Sequence, residues 1–181
     1  HPDAATRDLT SVLAVTSGAG PMPVALAERI AALMPGAVIT EGYGLTETTA
    51  VSFVNVPTRP RFGTVGEVAP GTEVRIAEDG EILVRGELVM HGYWRNKPET
   101  DKVLKDGWLH TGDIGYIDEA GRVAITDRKK DLIVNDKGDN IAPQKVEGML
   151  TLQPEILQAM ITGDKRPYMV GVIVPDPEWA L

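Results

Sequence analysis

The chain contains no cysteine, only three histidines and few aromatic residues, which make up 5% of its 181 residues. Without cysteine there is no disulfide, no thiolate nucleophile and no cysteine metal site, and three histidines do not favour zinc chemistry. Basic charge is also scarce: 18 Lys and Arg face 26 Asp and Glu, a net charge of −8. This balance argues against a binder of nucleic acids or anionic membranes, so we expect no nucleic-acid partner.

Long hydrophobic runs are absent as well. The longest uncharged stretch, residues 9–27, is interrupted by Thr, Ser, Gly and Pro, so it predicts neither a transmembrane segment nor a signal peptide. The default expectation is a cytoplasmic protein. Apolar residues at 43% and charged residues at 24% are typical of a folded globular chain.

The predicted fold class is mixed α/β. Residues 1–58 read as the end of an α/β layer: a strand at 11–15, a helix after Pro23 and a strand at 38–40, with the apolar face of the helix formed by Leu26, Ile30 and Leu33. Residues 59–127 predict a small antiparallel, β-barrel-like subdomain with strands at 72–77, 81–85, 114–117 and 122–126. After the polar cluster 127–131, a helix over 143–150 and strands at 156–161 and 168–174 are too few for an independent core.

Residues 41–48, Glu-Gly-Tyr-Gly-Leu-Thr-Glu-Thr, follow the second predicted strand directly. Gly42 and Gly44 would let a ligand approach the backbone, and the Tyr43 ring could face a base. Thr46 and Glu47 could address a phosphate and a cation. The alternative is a glycine-rich turn with a core tyrosine, and the third glycine of a dinucleotide fingerprint is missing.

Three further stretches could take part in a site. Asp113, between glycines at the expected mouth of a strand, could accept hydrogen bonds from both ribose hydroxyls; the alternative is an Asp in a tight turn. His110 reads as a packing residue, because no carboxylate at short spacing would orient it. Residues 16–21 join a strand to the start of a helix, where free backbone N–H groups favour an anionic group. Residues 128–130 are either an exposed basic face or the source of one fixed cation for a sugar or phosphate.

Together and in this order, the motifs resemble the adenylate-forming superfamily of acyl-CoA synthetases, and most closely the long-chain fatty-acid–CoA ligases. The matching strings are residues 17–21, 41–47, 86–94, 107–115, 127–131 and 140–144. The resemblance implies that a carboxylic acid attacks ATP with magnesium, giving an acyl-adenylate and pyrophosphate, and that CoA then displaces AMP. Fatty acid, ATP and CoA would be the small-molecule substrates.

The resemblance also implies roles for individual residues. Beside the adenine would lie Gly18 and Ala19, with Tyr43, between Gly42 and Gly44, stacked on the base. Thr46 would touch the α-phosphate and Glu47 would hold magnesium, so both are predicted catalytic residues. Ribose would be held by Asp113 and Arg128. Lys130 would be a nucleotide-binding residue and also the hinge of a rotating lid.

The resemblance implies an order of domains and also implies that two catalytic segments of the family lie outside this chain. Residues 1–127 would be the C-terminal part of the large AMP-binding domain, 128–130 the hinge and 131–181 an incomplete C-terminal lid. The family's phosphate loop would lie upstream and its catalytic lysine downstream, since Lys137, Lys145 and Lys165 do not match that lysine. We therefore expect the 181-residue chain by itself to be inactive.

Two alternatives stay open. Aryl or medium-chain acyl-CoA ligases and peptide-synthetase adenylation domains share the Tyr-Gly-x-Thr-Glu and Thr-Gly-Asp strings, while 127–131 and 140–144 favour the long-chain group by resemblance. A non-catalytic nucleotide-binding module would lack the same catalytic parts. The sequence leaves open the acyl chain length, the oligomeric state and any peripheral membrane contact of the parent protein.

Overall fold

The computed structural model describes residues 6–18, 22–49, 51–56 and 60–177. The chain is mixed α/β, as predicted, and divides into two compact units. The first unit comprises His1–Thr111 and Gly115–Ile125, and the second comprises Gly112–Ile114 and Thr126–Leu181. The predicted hinge at 128–130 and lid at 131–181 stay predictions.

The first unit opens with two parallel strands joined by a helix. Strand β1 (Ala14–Ser17) pairs with β2 (Val38–Tyr43), and helix α1 (Val24–Leu33) lies between them in the chain. Pro23 precedes the helix with φ −58°, the value that its ring favours and that suits a helix start. The first small core consists of the buried residues Met22, Ala27 and Ile39.

Both strands are displaced relative to the prediction. The first begins at Ala14 rather than residue 11, because its pairing partner begins at Val38. The second continues through Tyr43 rather than ending at residue 40, because Gly42 and Tyr43 pair with the antiparallel strand β3 (Phe53–Val54). With β4 (Glu67–Val68), these strands form a mixed sheet in the order β1-β2-β3-β4.

The β-rich region contains strands β5 (Thr72–Ile76) and β6 (Glu81–Gly86), helix α2 (Lys97–Val103), and strands β7 (Leu104–Lys105), β8 (Trp108–Ile117) and β9 (Val123–Arg128). Four of the strands run in the order β5-β6-β8-β7, and β9 pairs with β8. The larger core of the first unit is formed by Phe53, Val65, Ile82, Val84 and Val123. Within the described residues these strands do not close into a barrel, so the barrel-like arrangement stays a prediction.

The position of Asp113 corrects the prediction. It lies inside β8 and not at the mouth of a strand or in a tight turn. The physical reason is the alternating burial of Leu109, Thr111 and Asp113, which places every second side chain on the inner face of the sheet.

The second unit contains strands β10 (Ile133–Val134) and β11 (Asn140–Ile141), helix α3 (Pro143–Leu150), and the hairpin strands β12 (Ile156–Thr162) and β13 (Val170–Pro175). Helix α3 has the predicted bounds. Its Glu147 accepts a hydrogen bond at Oε1 from the backbone N–H of Ile161, 2.7 Å away, which ties the helix to β12. No helix in the described ranges is long and apolar enough to cross a bilayer.

Candidate functional site

Two of the predicted nucleotide-binding glycines, Gly18 and Gly42, lie side by side in the first unit. A Cβ atom added to Gly18 would be 3.5 Å from the carbonyl oxygen of Gly42, an ordinary van der Waals distance. Both residues lie at the carboxyl ends of the parallel strands β1 and β2, the edge at which α/β sheets bind ligands. Ala19 lies outside the described residues.

Tyr43 is half-buried and stacks on the buried ring of Phe53. Their ring centroids are 5.3 Å apart and their planes differ by 15°. The two residues also face each other across the β2–β3 pair. The alternative of a core tyrosine is therefore correct in part, because the Tyr43 ring packs against the buried Phe53. Stacking of Tyr43 on an adenine stays a prediction.

Thr46 and Glu47 lie in a short 3₁₀ turn, Thr46–Thr48, which follows Gly44 and Leu45. The buried Thr48 hydroxyl accepts the backbone N–H of Leu45 at 3.0 Å and closes the turn. Thr46 is exposed and Glu47 is half-buried. This turn presents a hydroxyl and a carboxylate next to each other at the end of the glycine-rich segment.

Glu47 has a partner that the sequence did not reveal. The Tyr93 phenol donates a hydrogen bond to Glu47 Oε1 at 2.7 Å. This hydrogen bond, together with partial burial, raises the pKa of Tyr93 to about 12. Tyr93 belongs to the 86–94 motif, yet no sequence signal connects it with a residue 46 positions earlier.

The residues present fit a magnesium ion that arrives with a nucleotide. Among the described residues no three His, Asp or Glu side chains gather as a protein-only metal cage. Glu47 supplies a carboxylate with one oxygen engaged by Tyr93. Such a donor set suits Mg²⁺, which proteins commonly hold by one or two carboxylates together with substrate phosphates and water.

In the second unit, the predicted ribose pair is in direct contact. Arg128 Nε lies 2.8 Å from Asp113 Oδ1; the Asp113 side chain is 3% exposed and that of Arg128 is 47% exposed. The backbone N–H of Lys129 donates to the carbonyl of Gly112 at 2.8 Å. The structure thus brings Asp113 and Arg128 together, while their contact with a ribose stays a prediction.

An open cavity of about 360 Å³ lies beside this pair, lined by Gly112, Arg128, Lys129 and Lys130. Lys130 is exposed, and it lies in a turn closed by the backbone N–H of Asp131 donating to the Arg128 carbonyl at 3.0 Å. The basic residues of the predicted hinge therefore border a surface cavity.

Two buried carboxylates near these sites were not predicted as site residues. Glu41 Oε1 accepts the backbone N–H of Met22 at 2.9 Å, and burial raises the pKa of Glu41. Asp127 Oδ1 accepts the backbone N–H of Arg128 at 2.6 Å, and burial likewise raises the pKa of Asp127. Each carboxylate therefore accepts a hydrogen bond from the backbone in or next to a predicted site segment.

His110 has a carboxylate partner that lies far from it in the sequence, and its role as a packing residue stays a prediction. Its Nδ1 lies 3.0 Å from Oε2 of the buried Glu81, so a carboxylate does orient the ring. Glu81 is 29 residues away in the sequence and reaches His110 from β6. The argument from short spacing missed it because sheet pairing brings distant residues together.

Comparison with known proteins identifies the family. Residues 1–94 of the chain match the family of AMP-binding enzymes. The chain is 44% identical over 167 residues to the long-chain-fatty-acid–CoA ligase FadD15 of Mycobacterium bovis, covering 91% of this chain and 27% of that protein. It is 36% identical over 187 residues to 4-coumarate–CoA ligase 1 of Oryza sativa subsp. japonica, covering 94% of this chain and 33% of the relative.

A similar solved structure is O-succinylbenzoate coenzyme A synthetase (MenE) of Bacillus subtilis in complex with ATP and magnesium ion. Its TM-score is 0.78 at 31% identity, covering 91% of this chain and 36% of that one. The chain therefore spans about a quarter to a third of the length of these relatives. The predicted resemblance is confirmed: the chain belongs to the family of AMP-binding enzymes, the adenylate-forming superfamily that includes the fatty-acid–CoA ligases.

Proposed function

We propose that the chain is part of an ATP-dependent acid–thiol ligase that makes acyl-CoA through an acyl-adenylate. The observation that carries the proposal is the end of β2, where paired glycines, a fixed tyrosine, an exposed Thr46 hydroxyl and the Glu47 carboxylate follow one another. The similarity to CoA ligases that act on fatty and aromatic acids supports this assignment.

In the first half-reaction, a substrate carboxylate oxygen attacks the α-phosphorus of ATP, and the bond to pyrophosphate breaks. The backbone at Gly18 and Gly42 and the ring of Tyr43 would hold the adenine, with Ala19 and Gly44 beside them. The Thr46 hydroxyl would donate to an α-phosphate oxygen, and Glu47 would hold magnesium. When bound, the metal neutralises charge on the phosphates and orients them.

Asp113 and Arg128 would hold the ribose. Two ribose hydroxyls can donate to a carboxylate, and an ionised acceptor makes such hydrogen bonds stronger than neutral ones. Arg128 already contacts Asp113 through Nε, which fixes the carboxylate before the nucleotide arrives. Geometry prepared in this way lowers the entropy cost of binding.

In the second half-reaction, the thiolate sulfur of CoA attacks the acyl carbon, the thioester bond forms and AMP leaves. We propose that residues 131–181 belong to a lid that rotates about Lys130 between the two steps. Residues 1–127 would then belong to the large AMP-binding domain. Hinges of this kind are a few loop residues that absorb a change in φ and ψ.

We propose a long-chain fatty acid as the acid substrate, supported by the 44% identity to FadD15. An aromatic acid is the second candidate, because the rice 4-coumarate–CoA ligase is 36% identical over a similar share of this chain. A non-catalytic nucleotide-binding module is the alternative from a different functional class.

The experiment uses the whole protein that carries these residues. Acid-dependent exchange of labelled pyrophosphate into ATP is measured with palmitate, octanoate, 4-coumarate and no acid, and CoA-dependent release of AMP is measured separately. Stimulation by palmitate supports the proposal, and stimulation by 4-coumarate alone moves the substrate to the aryl class. Nucleotide binding with no exchange for any acid would overturn the enzyme assignment in favour of the module. The 181-residue chain by itself should give no exchange.

A further inference from the structure

Residues 88–93 hold the turn that carries Glu47 at three points. The Thr49 hydroxyl donates to the Leu88 carbonyl at 2.9 Å, and the backbone N–H of Met90 donates to the Glu47 carbonyl at 2.8 Å. The third contact is the hydrogen bond from the Tyr93 phenol to Glu47 Oε1. The Met90 contact fixes the backbone of the turn, the Thr49 contact fixes the side chain that follows the turn, and the Tyr93 contact fixes the carboxylate.

Tyr93 is itself supported by helix α2 and by the residues that lead into it. Its backbone N–H donates to Thr100 Oγ1 at 2.9 Å, and the Thr100 hydroxyl donates to the Asn96 carbonyl at 2.9 Å. Gly92 has φ +149°, and a Cβ atom there would lie 2.9 Å from Thr100 Cγ2. A glycine at this position therefore lets the backbone before Tyr93 approach Thr100 closely enough to support the phenol.

The hydrogen bond selects one orientation of the Glu47 carboxylate. A glutamate side chain has several rotatable bonds, and fixing them at the moment of ligand binding costs conformational entropy. A phenol that donates to Oε1 fixes the plane of the carboxylate before the ligand binds, and this hydrogen bond does not involve Oε2. Replacing a partner that orients a metal-binding group typically weakens metal affinity or activity by about 10- to 100-fold.

We propose that Tyr93 is a positioning residue that orients Glu47 toward the magnesium–nucleotide complex. This inference rests on the proposed function, because it takes Glu47 as the carboxylate that meets the metal. Tyr93 acts only through Glu47 and does not touch the reacting atoms. The device consists of Glu47, Tyr93, Gly92 and Thr100, which join the glycine-rich segment to α2 and the residues before it.

The test compares the Tyr93→Phe variant with the wild type in the whole protein. Mn²⁺ binding is measured by electron paramagnetic resonance in the presence of a non-hydrolysable ATP analogue, and pyrophosphate exchange is measured across a magnesium titration. We expect Tyr93→Phe to weaken Mn²⁺ binding about tenfold, the lower end of the range for orienting partners. The exchange rate at saturating magnesium should stay close to that of the wild type.

The matched control is Tyr116→Phe, since Tyr116 is 52% exposed and lies outside the proposed site. It should leave both readouts unchanged. A Tyr93→Phe protein with unchanged Mn²⁺ binding, or with an exchange rate that falls at every magnesium concentration alike, would overturn the inference. A merely structural role predicts that second pattern.

A second variant covers the case in which Tyr93→Phe does not fold. Thr100→Val keeps the side-chain volume and removes the acceptor of the Tyr93 N–H, so it should weaken Mn²⁺ binding several-fold; unchanged binding would count against the inference. A wild-type protein that gives no acid-dependent exchange contradicts the proposed function. An active wild type whose Tyr93→Phe variant matches it contradicts only the role of Tyr93.

Discussion

The guanidinium of Arg128 lies 2.8 Å from the carboxylate of Asp113, and the two residues belong to the paired strands β9 and β8. The acid is buried and the base is half-exposed. Removing one member of such a pair leaves a charge without its partner, which is costly for a buried carboxylate. Tests of ribose binding must therefore separate an effect on nucleotide affinity from an effect on stability.

Replacement of Asp113 should weaken the use of ATP. Asp113→Asn keeps the shape of the side chain and removes its charge, so each hydrogen bond to a ribose hydroxyl becomes weaker. A hydrogen bond to a charged group contributes about 1.5–3 kcal/mol and a neutral one about 0.5–1.5 kcal/mol, so weakening the bonds to both ribose hydroxyls should raise the KM for ATP by about one order of magnitude or more. The KM for ATP is measured by steady-state pyrophosphate exchange. Asp101→Asn, at an exposed acid paired with Lys97 on α2, is the control. An unchanged KM in a folded Asp113→Asn protein would remove Asp113 from the nucleotide site.

Restricting the backbone at Lys130 should affect the two half-reactions unequally. Proline fixes φ and restricts the preceding residue, so Lys130→Pro should slow lid rotation and thioester formation more than adenylation. Single-turnover assays of each half-reaction measure the difference. Lys130→Ala, which removes the side chain and leaves the backbone free, should retain the balance between the steps. Equal losses in both steps for Lys130→Pro would indicate a plain structural defect.

The buried Glu41 should make stability depend on pH. Because burial raises its pKa in the folded protein above the ordinary 4.5, the folded state binds the proton more tightly than the unfolded state. Its contribution to stability is therefore complete below about pH 4.5 and is lost as pH rises through the folded-state pKa. Glu41→Gln keeps an acceptor for Met22 and removes the charge, so its stability relative to wild type should increase with pH.

Denaturant unfolding of wild type and Glu41→Gln between acidic and neutral pH measures this effect. Glu78→Gln, at an exposed glutamate, is the control and should show no such trend. A difference between wild type and Glu41→Gln that stays constant with pH would contradict the account of Glu41.

Asp127 should act mainly as an acceptor for backbone. Its Oδ1 binds the N–H of Arg128, next to the predicted hinge. Asp127→Asn keeps a carbonyl acceptor and should retain wild-type stability, whereas Asp127→Ala leaves the N–H without that partner and should cost about 1–3 kcal/mol. Denaturant unfolding of the two variants distinguishes them. Equal stability of both variants would show that the hydrogen bond contributes little.

Local patterns in the sequence predicted much of the fold. Apolar residues at helical spacing between two prolines predicted α1, and the bounds of α3 followed from Pro143 and its apolar face. Helix α2 was missed because it has no buried residue and hence no apolar stripe. Its stabilising features are local and need no apolar stripe: the Asn96 cap, a proline in the first turn and the Lys97–Asp101 ion pair.

The pairings at the candidate site could not be predicted from local patterns. The glycines around Asp113 suggested a turn, but the alternation of buried side chains continues through it as a strand. Contacts such as Glu47 with Tyr93 and His110 with Glu81 join residues 46 and 29 positions apart. Such contacts depend on which strands and loops become neighbours, and single-sequence periodicity carries no information about that.

The measurement that tests the central claim most directly is acid-dependent pyrophosphate exchange by the whole protein, in the wild type and in Glu47→Gln, across a magnesium titration. The account predicts exchange that requires a carboxylic acid in the wild type. It also predicts that Glu47→Gln needs at least tenfold more magnesium, as expected when a carboxylate that holds the metal is lost. Exchange that does not depend on any acid, or an unchanged magnesium requirement in Glu47→Gln, would contradict it.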